Sequence, residues 1–154
     1  LGWAHVIQCS PKGIERDDFW VVWIPGRKET LWEGGVYPVE ITFPAEYPKL
    51  GPIIQFEPDF EHVHVYEGGA ICLPLIEDQY WRSKTSMADI LQRIASLVHQ
   101  DVNQYSPANM EMFRIFKENR AEYEAKIKAQ AEKYSSKKEK YFQKPCIHIN
   151  LLLQ

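Results

Sequence analysis

The stretch HVHVYEGGAICLPL, residues 62–75, sets two imidazoles, a glycine pair and one cysteine close together. Three chemistries are open to that set. His62 and His64, two apart on an extended chain, lie on the same side and begin a metal site. A structural zinc takes four ligands and a catalytic one usually three, and beyond Cys72 the nearby donors are only the carboxylates Asp59, Glu61 and Glu67. That set is poor, and neither a metal nor another cofactor is expected. Cysteine is also among the most buried residue types, so Cys72 between Ile71 and Leu73 reads by default as inert core. Two features weigh against that. Gly68-Gly69 interrupts the backbone just ahead of it, which suits the close approach of another chain, and CLPLIEDQYW continues as loop. The third chemistry is a nucleophilic thiol with supporting neighbours.

A reactive thiol on a loop needs rigid elements on either side, and the chain supplies them in two blocks. WAHVIQC (3–9), FWVVWI (19–24), VYPVEITF (36–43) and IIQFEP (53–58) are dense in β-branched and aromatic residues and read as strands. Val39, Ile41 and Phe43 share one face of the third, and Pro38 predicts a free edge on its early part. Short polar connections join them, one of them (44–52) holding three prolines, so an antiparallel meander is predicted. From Pro58 to Arg82 no helical period holds, and ordered loops of that length are usually functional. Then the pattern changes. Met87, Ile90, Leu91, Ile94, Leu97 and Val98 fall on one helical face of 85–100, and Ser86 with Asp89 resembles a capping box at its start. Residues 106–134 read as helical again, with stripes of Met112, Phe113 and Phe116, then Tyr123, Ile127 and Tyr134. Strands first and helices after make an α+β domain over 1–134, followed by a charged and then apolar tail, 135–154, to which no function is assigned.

The bulk numbers bound the function. The chain has 154 residues, 45% apolar and 25% charged, with a formal net charge of -3. That is an ordinary globular composition, with no basic field for nucleic acid. No apolar run approaches the ~20 residues of a membrane span. Cys9, Cys72 and Cys146 are few and far apart, which suits a reducing compartment better than a disulfide scaffold. LGWAHVIQ has neither a starting Met nor a basic region ahead of its apolar residues, so no signal peptide is expected and the chain reads as trimmed.

Several segments together resemble the ubiquitin-conjugating carrier enzymes: WEGGVYPVEITFPAEYPKLGP, FEPDFEHVHVYEGGAICLPL, YWR and the amphipathic helix behind it. That family has a WEGG turn, an FP..YP..PP segment, a His-Pro-Asn tripeptide, and a cysteine eight residues after the Asn. Trp32 to Gly35, Phe43-Pro44, Tyr47-Pro48, Pro52, His62 and Trp81 match, and Cys72 lies eight after His64. The resemblance covers about residues 2–134 and is greatest to the SUMO-conjugating branch, through IPGRKETLWEGG, VYEGGAICL and NRAEYEAKIKAQAEKY.

The resemblance implies a fold, a reaction and partners. The fold is a four-stranded meander, an active-site loop and C-terminal helices; the family's N-terminal helix is expected to be missing, since the chain begins at the first strand. Cys72 is implied as the nucleophile that carries a ubiquitin-like protein as a thioester and passes it to a substrate lysine. The transition-state oxyanion needs a donor, and His64, standing where the family has Asn, is the candidate through a ring N–H. Val63 replaces the Pro, and His62 is scaffold. Ser106 replaces an acidic residue that often faces the attacking lysine, and Tyr66 matches a substrate-contacting Tyr. Ile53 and Gln55 stand where the SUMO branch uses lysines, and Gly68 and Ala70 replace small hydroxyl residues, which weakens acidic-motif reading. The partners implied are SUMO or another ubiquitin-like protein, its activating enzyme, ligases and lysine-bearing substrates, with no nucleic acid and no membrane, in nucleus and cytoplasm. A carrier for ubiquitin or another ubiquitin-like protein and a catalytically silent binding variant of the same fold are the alternatives.

Overall fold

FWVVWI and VYPVEIT pair as the central strands of an antiparallel sheet, as their β-branched and aromatic content predicts. The computed structural model describes residues 2–7, 18–71, 81, 85–142 and 148–153. All three cysteines, Cys72 included, lie outside the described residues. The strands are β1 (Gly2–Ile7), β2 (Phe19–Pro25), β3 (Val36–Thr42), β4 (Ile53–Phe56) and β5 (His148–Leu153), in the sheet order β4-β3-β2-β1-β5. β2 and β3 pair along their full length, from Phe19 opposite Thr42 to Pro25 opposite Val36. β4 pairs only with Val39 to Thr42, so Pro38 precedes that pairing, where β3 has the free edge its proline predicts.

The predicted meander is therefore present, with one addition. His148–Leu153 lies antiparallel along all of β1, Gly2 opposite Leu153 and Ile7 opposite His148. The sequence assigns no function to the tail beyond residue 134; its apolar end supplies the N–H and C=O partners that the outer edge of β1 would otherwise lack.

Three helices follow the sheet: α1 (Met87–His99), α2 (Met110–Glu118) and α3 (Arg120–Phe142). The capping box at Ser86 is formed, with Ser86 Oγ accepting from Asp89 N at 3.1 Å and Asp89 Oδ2 from Ser86 N at 3.2 Å. Ile90, Leu91, Ile94, Leu97 and Val98 are buried, the face that the helical spacing predicts. The single helical stretch expected over 106–134 is two helices. Asn109 caps α2, its Oδ1 accepting from Met112 N at 2.9 Å. Asn119 ends α2 by donating its N–H to Ile115 O and starts α3 by accepting from Glu122 N at 3.2 Å. An Asn with a Glu three residues on is a helix-start signal, but here strong helix formers surround it and hide the break.

The sheet packs its Val22, Ile24, Val39, Ile41, Ile54 and Phe56 against α1, α2 and α3 in the main core. Phe19, Val21 and Trp23, on the opposite face of β2, are buried in a second cluster. β2 is thus covered on both faces, which explains its unbroken apolar run.

Candidate active site

The approach to Cys72 is a tight hairpin laid on β4. Gly69 N donates to Tyr66 O at 3.0 Å and Tyr66 N to Ala70 O at 2.9 Å. Val65 bridges Ile71, Ala70 bridges Gln55, and Phe56 N donates to Gly69 O at 2.8 Å. Gly68 and Gly69 have φ of 90° and 93°, which side-chain-bearing residues rarely adopt. A Cβ on Gly69 would also lie 2.1 Å from Phe56 O. The glycine pair was expected to leave room for an incoming chain. Its structural work is nearer: Gly68 permits the turn, and Gly69 lets the returning strand press onto the β4 backbone. Ile71, the residue before Cys72, is therefore held on a sheet-like support.

The tripeptide ahead of the hairpin is a hub for the loop between α1 and α2. Val63 O accepts from both Ala108 N (2.8 Å) and Asn109 N (3.0 Å). His64 Nε2 accepts from Asn103 N at 3.0 Å, and His62 Nδ1 accepts from His64 N at 2.9 Å. The ring proton of His64 is thereby assigned to Nδ1 and that of His62 to Nε2. Those N–H groups engage the Ser106 backbone and the Val98 backbone respectively, hydrogen bonds that favour the protonated imidazoles. Burial outweighs them. It pushes His64 below the usual imidazole range, and it pushes His62 down to about 3, with His64 and His99 adding repulsion. Both rings are neutral at pH 7.

This geometry bears on the expected roles. Ring Nε2 of His64 accepts from Asn103, and the Ser106 backbone is the ring's other hydrogen-bond partner. His64 braces the 103–106 loop, and that loop presents Ser106 at the surface. His62 is buried beside Trp32 and Phe60, with ring centroids 5.1 and 6.2 Å away, in the scaffold role expected of it. Tyr66 is 46% exposed at the hairpin turn, and Ile53, 57% exposed, shares the outward face of β4 with Gln55. Asn103 and Asn109, which tie this site together, carry no local signal of that role, because their partners at His64 and Val63 lie about forty residues earlier.

The segment before the tripeptide is clamped by α3. Glu61 N donates to Gln130 Oε1 at 2.7 Å, and Gln130 Nε2 donates back to Glu61 O at 3.0 Å. Glu57, Asp59 and Glu61 pair in turn with Lys137, Lys133 and Lys126. The contact with Lys133 holds Asp59 below the usual carboxylate range. Asp59 and Glu61, two of the nearby carboxylates that could serve as metal donors, are thus engaged by α3. On the far side of the active-site segment, Trp81 is buried and its Nε1 donates to Pro48 O at 2.8 Å. Trp20, Phe43, Tyr47 and Trp81 make a train of ring contacts that ties the FP..YP segment to this anchor.

The meander, the helices and a cysteine position flanked by a hairpin and a Trp anchor define a carrier enzyme for ubiquitin-like proteins: the ubiquitin-conjugating enzyme family matches residues 4–131, and the chain belongs to it. The chain is 39% identical over 118 residues to SUMO-conjugating enzyme UBC9 of Caenorhabditis elegans, spanning 76% of this chain and 70% of that protein. It is 37% identical over 116 residues to Sumo-conjugating enzyme ubc9 of Dictyostelium discoideum, spanning 75% and 72%. The α+β fold expected from the sequence is that of the family, and family membership makes the chain a ubiquitin-like-protein transferase.

Proposed function

We propose that this chain is a SUMO-conjugating enzyme with Cys72 as its nucleophile. The Cys72 thiolate attacks the thioester carbonyl joining SUMO's C-terminal glycine to the activating enzyme. The activating enzyme's thiol leaves, and SUMO is now joined to Cys72. A neutral substrate lysine then attacks that carbonyl, Cys72 leaves as thiolate, and the amine's proton passes to solvent as the isopeptide bond forms. Tyr66 and Ser106 are the substrate-side contacts in this reading, and His64 serves by holding the loop that carries Ser106. Nucleus and cytoplasm, where such a reducing-compartment carrier would act, are the proposed locations.

The observation that carries this reading is the similarity to two SUMO-conjugating enzymes across three quarters of the chain. Its test is a charging assay with ATP, the matching activating enzyme, and SUMO or ubiquitin. A thiol-sensitive adduct with SUMO and none with ubiquitin is expected. Charging by ubiquitin alone would reassign the chain to another branch of the family. An adduct that survives Cys72→Ala would remove Cys72 from its role.

A further inference from the structure

Two imidazoles link three pieces of backbone. Asn103 N–H donates to His64 Nε2, His64 N–H donates to His62 Nδ1, and the His62 ring engages the Val98 backbone near the end of α1. In both rings the accepting nitrogen is an unprotonated one. Protonating either ring turns that acceptor into a donor facing another donor, and the bond is lost. An amide side chain at position 64 would accept the same bond without titrating.

We propose that His64 is a positioning residue that works as an acid-released latch: its neutral ring pins the 103–106 loop to the active-site segment, and its protonation frees that loop and slows transfer to lysine. The functional half of this inference rests on the transferase reading above. The charged groups that bear on the latch are themselves mostly imidazoles. His62 feels His64 and His99, and His99 lies at the end of α1 with Nε2 between Arg27 N and Pro25 O, next to the Arg27 charge. His64 is governed by burial and by the Ser106 backbone, with burial the larger, so release begins on the acid side of the ordinary imidazole value.

The test follows two signals against pH in the full chain. The Asn103 backbone amide is read by NMR, which needs no modifier. Discharge of the SUMO thioester to free lysine is read in a single turnover, as the ratio of native rate to His64→Asn rate, so that ionisation of the attacking lysine cancels. The Asn103 amide is expected to move with a single midpoint below about 6.5, and to stay flat in His64→Asn. One unit below that midpoint the rate ratio is expected to have fallen roughly tenfold, since about nine-tenths of the rings are then protonated. An Asn103 amide that does not titrate in the native chain overturns the latch, as does a rate ratio that stays constant through the midpoint. Failure to form any thioester contradicts the proposed function instead, and the amide titration then decides the latch alone.

Discussion

At the scale of single residues, the site joins a local pattern around Cys72 to bonds that reach far along the chain. A cysteine eight residues after His64, behind a glycine pair, is a local pattern. The bond from Asn103 to His64 joins positions 39 apart, and no periodicity or propensity announces it. The glycines were legible as necessary, but the contact that demands Gly69 was not, because the carbonyl of Phe56 that presses on it is set by β4 pairing. That contact makes a sharp prediction. Gly69→Ala must hold φ near 93° and find room for a Cβ 2.1 Å from Phe56 O. It is expected to destabilise the protein by at least about 2 kcal/mol, measured by urea unfolding. Gly68→Ala, with open space around its Cβ position, carries only the backbone cost and should lose less, about 1 kcal/mol. Equal losses would contradict this account of the hairpin.

At the scale of elements, α1 was legible in full: its cap, its buried face and nearly its ends. Regular amphipathic spacing with a capping residue needs no tertiary information. The break at Asn119 was hidden because local helix propensity stays high on both sides, and packing of α2 and α3 as separate helices decides it. The clamp of α3 on residues 57–61 was also invisible, since charged residues on a helix usually face solvent. The ion pairs in that clamp and the amide bonds are unequal partners. Lys133 and Asp59 are both substantially exposed, so Lys133→Ala is expected to cost under about 1 kcal/mol. Gln130 is buried and satisfies both backbone groups of Glu61, so Gln130→Ala should cost about 2 kcal/mol or more. Chemical denaturation of the two variants checks the order, and a larger loss from Lys133→Ala would reverse it.

At the scale of the whole molecule, the four-strand meander and the α+β order were legible, and the fifth strand was not. His148–Leu153 is a short apolar run whose pairing is fixed only by the vacant edge of β1. The distribution of buried histidines is a second property of the whole chain. His62, His64 and His99 are all lowered, each chiefly by burial. In the unfolded chain they titrate near 6.5, so between that pH and their folded values the unfolded state binds more protons. Their contribution is complete above about pH 6.5 and is lost as pH falls. With His62 at about 3 when folded, that residue alone accounts for roughly 3 kcal/mol between pH 7 and pH 4. Asp59, lowered from 3.8, loses its contribution only below that interval. Calorimetry is expected to show Tm falling by on the order of 10 °C from pH 7 to pH 4, and a flat Tm over that range would contradict neutral burial of these rings.

The central claim is that Cys72 carries a ubiquitin-like protein through its side chain. Intact-mass measurement of Cys72→Ser after charging with activating enzyme, ATP and SUMO tests it most directly, because the change swaps sulfur for oxygen at one atom. The account predicts that the native chain gains one SUMO less a water and loses it to added thiol, while Cys72→Ser gains the same mass as an ester that resists thiol and yields to hydroxide. A Cys72→Ser adduct that added thiol still removes would place the carrier bond on another residue and contradict the account.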